Sequence, residues 1–381
     1  MKAKTIHTTA LATLIALGAT ASQAEIRLGA SLSATGPAAF LGDPQAKTLE
    51  MLVEKLNANG GINGEEIELT LYDDGGDPNK ARTFATRLVE DDEVVAIIGG
   101  STTGTTMSIL SVADDEGIPF ISLAGAISII DPVRVNVFKT PHTDRMACEK
   151  IFADMTAQGI TNIGMISGTD GFGASMQAQC KDVAGTYGIT VLADETYGPQ
   201  DADVTPQLTR IRNTEGVQAV LNPGFGQGPA IVTRNVAQLG FDIPLYGSHG
   251  VASNAFIELA GPEAAEGVRL PGTALLIADL LAENDPQYAV VTSYISSYKA
   301  KYDQDVSAFG GYAHDAFALM TDAMARAGSD DPSDIRDALE ATSGLVGTTG
   351  IYTFSPEDHL GLDLSAFRML EIKDGRWTSA D

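Results

Sequence analysis

The sequence predicts an α/β protein of two doubly wound lobes, each with a parallel central sheet. Three observations carry that prediction. From Glu25 onward, short apolar segments of strand length alternate with segments of helical periodicity, the β-α-β order that builds a parallel sheet covered on both faces. The same rhythm restarts after Pro141. The chain has 381 residues, more than one typical core organises at about 100 to 200 residues per domain.

The first 24 residues are read as a secretory signal peptide: Lys2 and Lys4 precede an apolar run from Ala10 to Leu17, and Ser22-Gln23-Ala24 is a small-x-small cleavage site. Cleavage after Ala24 leaves 357 residues and, by removing Lys2 and Lys4, takes the formal charge from −26 to −28. So negative a chain argues against nucleic acid or an anionic membrane surface as partner. No later stretch reaches the ~18 to 20 apolar residues of a spanning helix, so an exported protein without membrane insertion is expected. Cys148 and Cys180 both fall on apolar helical faces, and a disulfide and two buried thiols remain equally open.

In the first lobe, Ile26 to Ala30 reads as a strand, and Leu49, Leu52, Val53 and Leu56 give a helix stopped by Asn59-Gly60-Gly61. Glu65 to Tyr72 is the second strand. Asp77 caps a helix with Pro78 at its first position, and Ala81, Phe84, Ala85 and Leu88 form its apolar face. Val94 to Ile98, Ile118 to Ser122 and Val135 to Lys139 complete the strands. In the second lobe, helices are expected over 143–158, 173–187, 204–213 and 229–239, with strands over 162–166, 190–195 and 217–221 and near Leu245. From Asp285 the order changes to three successive helices, 286–302, 309–327 and 332–341, then a short strand at 351–354 and a terminal hairpin.

Ile97-Ile98-Gly99-Gly100-Ser101-Thr102-Thr103-Gly104-Thr105-Thr106 is the stretch with most chemistry in it. A strand hands over to a helix through two glycines, and the helix begins among hydroxyls near Thr103. Its first N–H groups lack intrahelical partners and carry the positive end of the dipole, which suits a small anion. Gly99, Gly104 and Thr106 have the spacing of a phosphate loop, but Thr105 stands where the lysine must be, so a single carboxylate fits better than a triphosphate. The hydroxyls serve equally well as ordinary helix caps.

Thr35-Gly36-Pro37, Asn59-Gly60-Gly61-Ile62-Asn63-Gly64, Tyr72-Asp73-Asp74 with Asp77-Pro78, Ile98-Gly99, Asp115-Glu116-Gly117-Ile118-Pro119, Gly250-Val251-Ala252 and Ala260-Gly261 run in order along the mature chain. Together they resemble the type I periplasmic binding proteins of branched-chain amino acid ABC importers, the leucine/isoleucine/valine-binding group. The resemblance implies two α/β lobes joined by three crossings. Residues 25–141 plus 272–355 would form lobe one and 142–271 plus 356–381 lobe two, with hinges near Pro141, Pro271 and Pro356. It also implies a ligand held between the lobes and a closed form presented to a membrane permease by a periplasmic monomer. The ligand carboxylate would lie at Ser101, Thr102 and Thr103, with Thr103 aligning best, and at the backbone of Ala124.

The chain departs from that pattern where the family binds the ligand ammonium. A threonine and a glutamate are replaced by Ala126 and His249, so the expected ligand is a small carboxylate without an α-amino group. His249 would act as a neutral acceptor or, protonated, as a second cation. Two family tyrosines become Phe172 and Phe225, and Phe40 and Tyr312 would complete an apolar, aromatic wall. The family disulfide would need cysteines near Gly76 and Thr102, which are absent. Asp73 and Asp74 are read as fixing a turn. No catalytic residues, metal or cofactor are expected, since the sequence has no G-x-S-x-G, H-E-x-x-H or post-strand G-x-G-x-x-G. A sensory role and branched-chain amino acid binding stand as the alternative functions.

Overall fold

The computed structural model describes residues 25–380; the signal-peptide reading lies outside them. The first lobe opens with β1 (Glu25–Leu32), α1 (Ala39–Ala58), β2 (Glu66–Asp73), α2 (Pro78–Glu90), β3 (Ala96–Gly99), α3 (Thr103–Glu116), β4 (Phe120–Ser122) and β5 (Val137–Lys139). These strands form one wholly parallel sheet in the order β2-β1-β3-β4-β5. The central strands β3 and β4 are buried throughout, as expected where helices cover both faces, whereas edge strand β2 is half-exposed. Asp77 caps α2 through Asn79 N at 2.8 Å, with Pro78 at the first turn where a missing N–H costs nothing. The third strand starts two residues later than its apolar run, because Val94 N donates to Leu88 O at 3.0 Å and closes the end of α2.

The second lobe follows with α4 (Asp144–Ala157), β6 (Asn162–Gly168), α5 (Gly171–Ala184), β7 (Thr190–Tyr197), α6 (Thr205–Arg212), β8 (Ala219–Asn222), α7 (Gln227–Gln238), β9 (Leu245–Gly247), α8 (Asn254–Ala260), α9 (Pro262–Ala265) and β10 (Arg269–Gly272). The chain then returns to the first lobe as α10 (Tyr288–Tyr302), α11 (Ala308–Ala327), α12 (Pro332–Glu340) and the hairpin β11 (Ser343–Val346) and β12 (Ile351–Thr353). Helix α11 packs along α1, with Tyr294 of α10 hydrogen-bonded to Thr48 at 2.7 Å. A last crossing leads to β13 (Arg368–Lys373) and β14 (Arg376–Ser379). The second sheet runs β14-β13-β10-β9-β8-β6-β7, five parallel strands extended by the antiparallel terminal hairpin. Pro271 and Gly272 are the last two residues of β10, so the chain leaves this sheet after them.

Cys148 of α4 and Cys180 of α5, both fully buried, are joined in a disulfide with Cα atoms 5.0 Å apart. Strands β10 and β11 and the short helices α8 and α9 are elements the sequence pattern does not reveal. Each has seven residues or fewer, too few for a period to emerge. The carboxyl ends of the strands in both sheets turn toward the same gap between the lobes, the place where open α/β sheets bind ligands.

Candidate functional site

The sequence Gly99-Gly100-Ser101-Thr102-Thr103 forms the turn from β3 into α3. Gly100 has φ +68°, and a Cβ there would lie 2.2 Å from Thr106 Oγ1, so the turn requires glycine. The three hydroxyls that follow have different tasks. Ser101 Oγ donates to Gln45 Oε1 at 2.6 Å and accepts from Ser33 N at 3.0 Å, tying the turn after β3 to helix α1 and to the loop after β1. Thr102 is the N-cap of α3 and forms a reciprocal capping box with Thr105, accepting from Thr105 N at 3.1 Å. Thr103 Oγ1 is buried without a hydrogen-bond partner. The capping reading holds at Thr102, while Thr103 keeps a buried hydroxyl unpaired beside the first turn of α3.

These residues form one side of an interlobe cavity of about 40 Å³. A single water needs roughly 10 to 15 Å³ by the same measure, so the space suits a small molecule. Ser101, Thr102, Thr103, Ala124 and Tyr312 line it from the first lobe, and Phe172, Phe225 and His249 from the second. Two candidates do not line it. Ala126 is fully buried behind the wall, with its carbonyl facing Lys139 Nζ at 3.4 Å. Phe40 lies outside, its ring 6.1 Å from Phe225 and 5.7 Å from Phe309. Ala124 N, the expected backbone donor, is directed to Ser122 Oγ at 3.2 Å.

Leu41, Leu123, Gly125, Pro141, Gly250 and Phe309 complete the lining and were not among the candidates. Leu123 and Gly125 follow the end of β4, Pro141 follows β5 and Gly250 follows β9, so the strand-end rule finds four of them, while Phe309 lies in the first turn of α11. The aromatic wall is continuous. Phe172 meets Phe225 edge-on at 6.2 Å and His249 edge-on at 5.3 Å, while Phe309 meets Tyr312 at 6.2 Å.

The electrostatics rest on buried groups. His249 is 3% exposed, and neither ring nitrogen has a hydrogen-bond partner. Burial, reinforced by the nearby Lys139 ammonium, holds its pKa down to about 3, so the ring is neutral at ordinary pH. Of the two readings of His249, this favours the neutral acceptor. The cation near the site is Lys139 instead, which sequence reasoning took only as a strand residue. Its pKa is lowered to about 7 by complete burial, with Asp144 pulling it back up. Tyr312 hydroxyl is buried without a partner, and burial raises its pKa. Asp74 accepts from Ser31 Oγ at 3.0 Å, Ser33 Oγ at 2.7 Å and Gly76 N at 2.9 Å, and Asp73 accepts from Thr35 and Gly75, so the pair fixes two turns. Among the described residues no group of three or more histidine, cysteine or acidic side chains could hold a metal ion.

Two α/β lobes closing over a small, largely apolar cavity define a cleft-binding protein. Comparison with known proteins agrees: the periplasmic binding protein family model matches residues 25–376, and the chain belongs to that family. It is 26% identical to the leucine-, isoleucine-, valine-, threonine- and alanine-binding protein of Pseudomonas aeruginosa over 322 residues, 84% of this chain and 83% of that one. It is 25% identical to a Leu/Ile/Val-binding protein homolog of Brucella melitensis over 380 residues, 99% of each chain. The crystal structure of an extracellular ligand-binding receptor from Rhodopseudomonas palustris HaA2 superposes with a TM-score of 0.87 and 28% identity, covering 94% of this chain and all of that one.

Proposed function

We propose that this protein is the periplasmic solute-binding component of an ABC importer. It captures a small carboxylate that lacks an α-amino group and carries an apolar or aromatic body. The observation that carries this reading is the chemistry of the lining. Among the described residues lining the cavity none is acidic, while Thr103, Tyr312 and His249 offer polar atoms without partners. An ammonium enclosed here would lose its water without gaining a carboxylate, a penalty of several kcal/mol. The buried acids nearby are already engaged: Asp144 accepts from Ile127 N and Arg145 N at 2.9 Å and from Ser175, and Asp170, which lines the adjoining cavity, caps α5 by accepting from Phe172 N at 2.9 Å and Gly173 N at 3.0 Å. A carboxylate, by contrast, meets the first turn of α3 and an uncharged aromatic wall. On this reading the protein acts as a monomer that hinges near Pro141, Pro271 and Pro356 and presents its closed form to a membrane permease. The ligand would contact Ser101, Thr102, Thr103, Ala124, Phe172, Phe225, His249 and Tyr312, with Ala126 and Phe40 supporting from behind.

The names of the two relatives favour a second reading, capture of a branched-chain amino acid. A thermal-shift screen separates the two. Phenylacetate, benzoate or short branched acids at about a hundredfold over Kd should stabilise the fold by ~2.7 kcal/mol, seen as a rise in Tm. Stabilisation by leucine or valine alone would give the second reading the site.

A further inference from the structure

We propose that Lys139 is a positioning residue for the ligand, and that capture of a carboxylate is coupled to protonation of the Lys139 side chain. The inference rests on the carboxylate reading of the site, and not on the absence of an amino group.

Lys139 is the last residue of β5, and its side chain is fully buried behind the wall of the cavity. Its Nζ donates to the carbonyl oxygens of Gly125 at 3.0 Å, Ala126 at 3.4 Å and His142 at 3.4 Å. Three acceptors match the three N–H bonds of an ammonium, whereas a neutral amine has only two to give. Gly125 lines the cavity, so one peptide unit separates the cation from the ligand space. The same segment is held by Asp144, whose N–H donates to Gly125 O at 3.0 Å and whose carboxylate accepts from Ile127 N at 2.9 Å. Asp144 also accepts from Ser175 on α5, which ties the loop to the second lobe. The wall of the cavity is thus pinned by a buried lysine and a buried aspartate on either side of the first crossing between lobes.

The titratable groups around Lys139 are Asp144 on α4, His142 on the crossing and His249 after β9. Both imidazoles are fully or nearly fully buried, and burial outweighs the backbone carbonyls beside them, Ala366 for His142 and His142 for His249, so both are neutral. One cation and one anion therefore face each other. A ligand carboxylate entering this largely apolar space adds a second negative charge near Nζ and favours the ammonium form. Since burial has already brought the lysine to about 7, the change falls within an accessible range. Linkage fixes the sign: if the ligand favours the proton, the proton favours the ligand, so affinity is full where Lys139 is charged and declines above its ligand-free pKa.

Isothermal titration of the purified protein with phenylacetate, and separately with leucine, tests this. Between about pH 6.5 and pH 8.5 the affinity of the wild type should fall roughly tenfold, and titrations near pH 8 in phosphate and Tris should reveal uptake of a fraction of a proton. Lys139→Met should bind more weakly at the lower pH and with no slope. Lys139→Arg, charged throughout this range, should restore part of the low-pH affinity and also remain flat. A flat wild-type profile with no proton exchange overturns the proposal, as does an unchanged slope in Lys139→Met. The proton count comes from the wild type alone, so a variant that fails to fold does not block the test. If only leucine binds, the amine-free reading fails while the leucine profile still decides the role of Lys139. If neither binds, the carboxylate reading and this proposal fall together.

Discussion

At the scale of single residues, the cavity depends on what one position lacks. An added Cβ on Gly125 would lie 2.8 Å from Phe172 Cε2 and 2.9 Å from His249 Nε2, two side chains fixed by packing. Gly125→Ala should therefore push the second lobe's wall away or close the cavity, weakening ligand binding by about tenfold or more and costing ~1 to 3 kcal/mol of stability through overpacking. Calorimetry and urea unfolding measure the two effects, and binding equal to wild type would remove Gly125 from the wall. The same residue shows what a sequence conceals. Thr103, Phe172 and His249 announce themselves through hydroxyl crowding, flanking glycines or departure from a family pattern, whereas Gly125 and Lys139 look ordinary. Their roles arise from what the fold places against them, a ring edge in one case and three carbonyls in the other.

At the scale of elements, helix ends were legible because they are chemically marked. Asp77 with Pro78, the hydroxyls at Thr102 and Thr105, and Asn59 at the end of α1 all carry their signals locally. Pairings are not marked locally. Nothing in the spacing of Cys148 and Cys180 distinguishes a bridge from two thiols, since the bridge depends on how α4 and α5 dock. With the 32-residue separation of the cysteines closed by the disulfide, its removal in Cys148→Ala/Cys180→Ala should cost about 2 to 4 kcal/mol, mainly by freeing the unfolded chain. Urea denaturation of the double variant against wild type checks this. A loss well under ~1 kcal/mol would mean that packing of the two helices holds the pair without help.

At the scale of the whole molecule, the two-lobed plan was readable because β-α-β alternation is long and restarts after Pro141. The return of α10, α11 and α12 to the first lobe follows from helices that have no strands of their own to cover. How the lobes face one another has no sequence signal, yet it makes the cavity. Thr103, Phe309 and Tyr312 come from one side and Phe172, Phe225 and His249 from the other, and Phe40 reaches across to Phe225. Gly171 at the start of α5 lies against Thr103, its Cβ position 3.7 Å from Thr103 Cβ, an ordinary van der Waals contact between the lobes. A ligand enclosed by both lobes must enter through an open form, and only its contacts in the closed form can pull the equilibrium toward closure. Small-angle scattering should therefore give a radius of gyration near the roughly 21 Å of a compact chain of this length with saturating ligand, and a larger value without it. Superimposable curves would mean that the lobes stay closed, and that ligand reaches the cavity by local opening around Phe172 and Phe225.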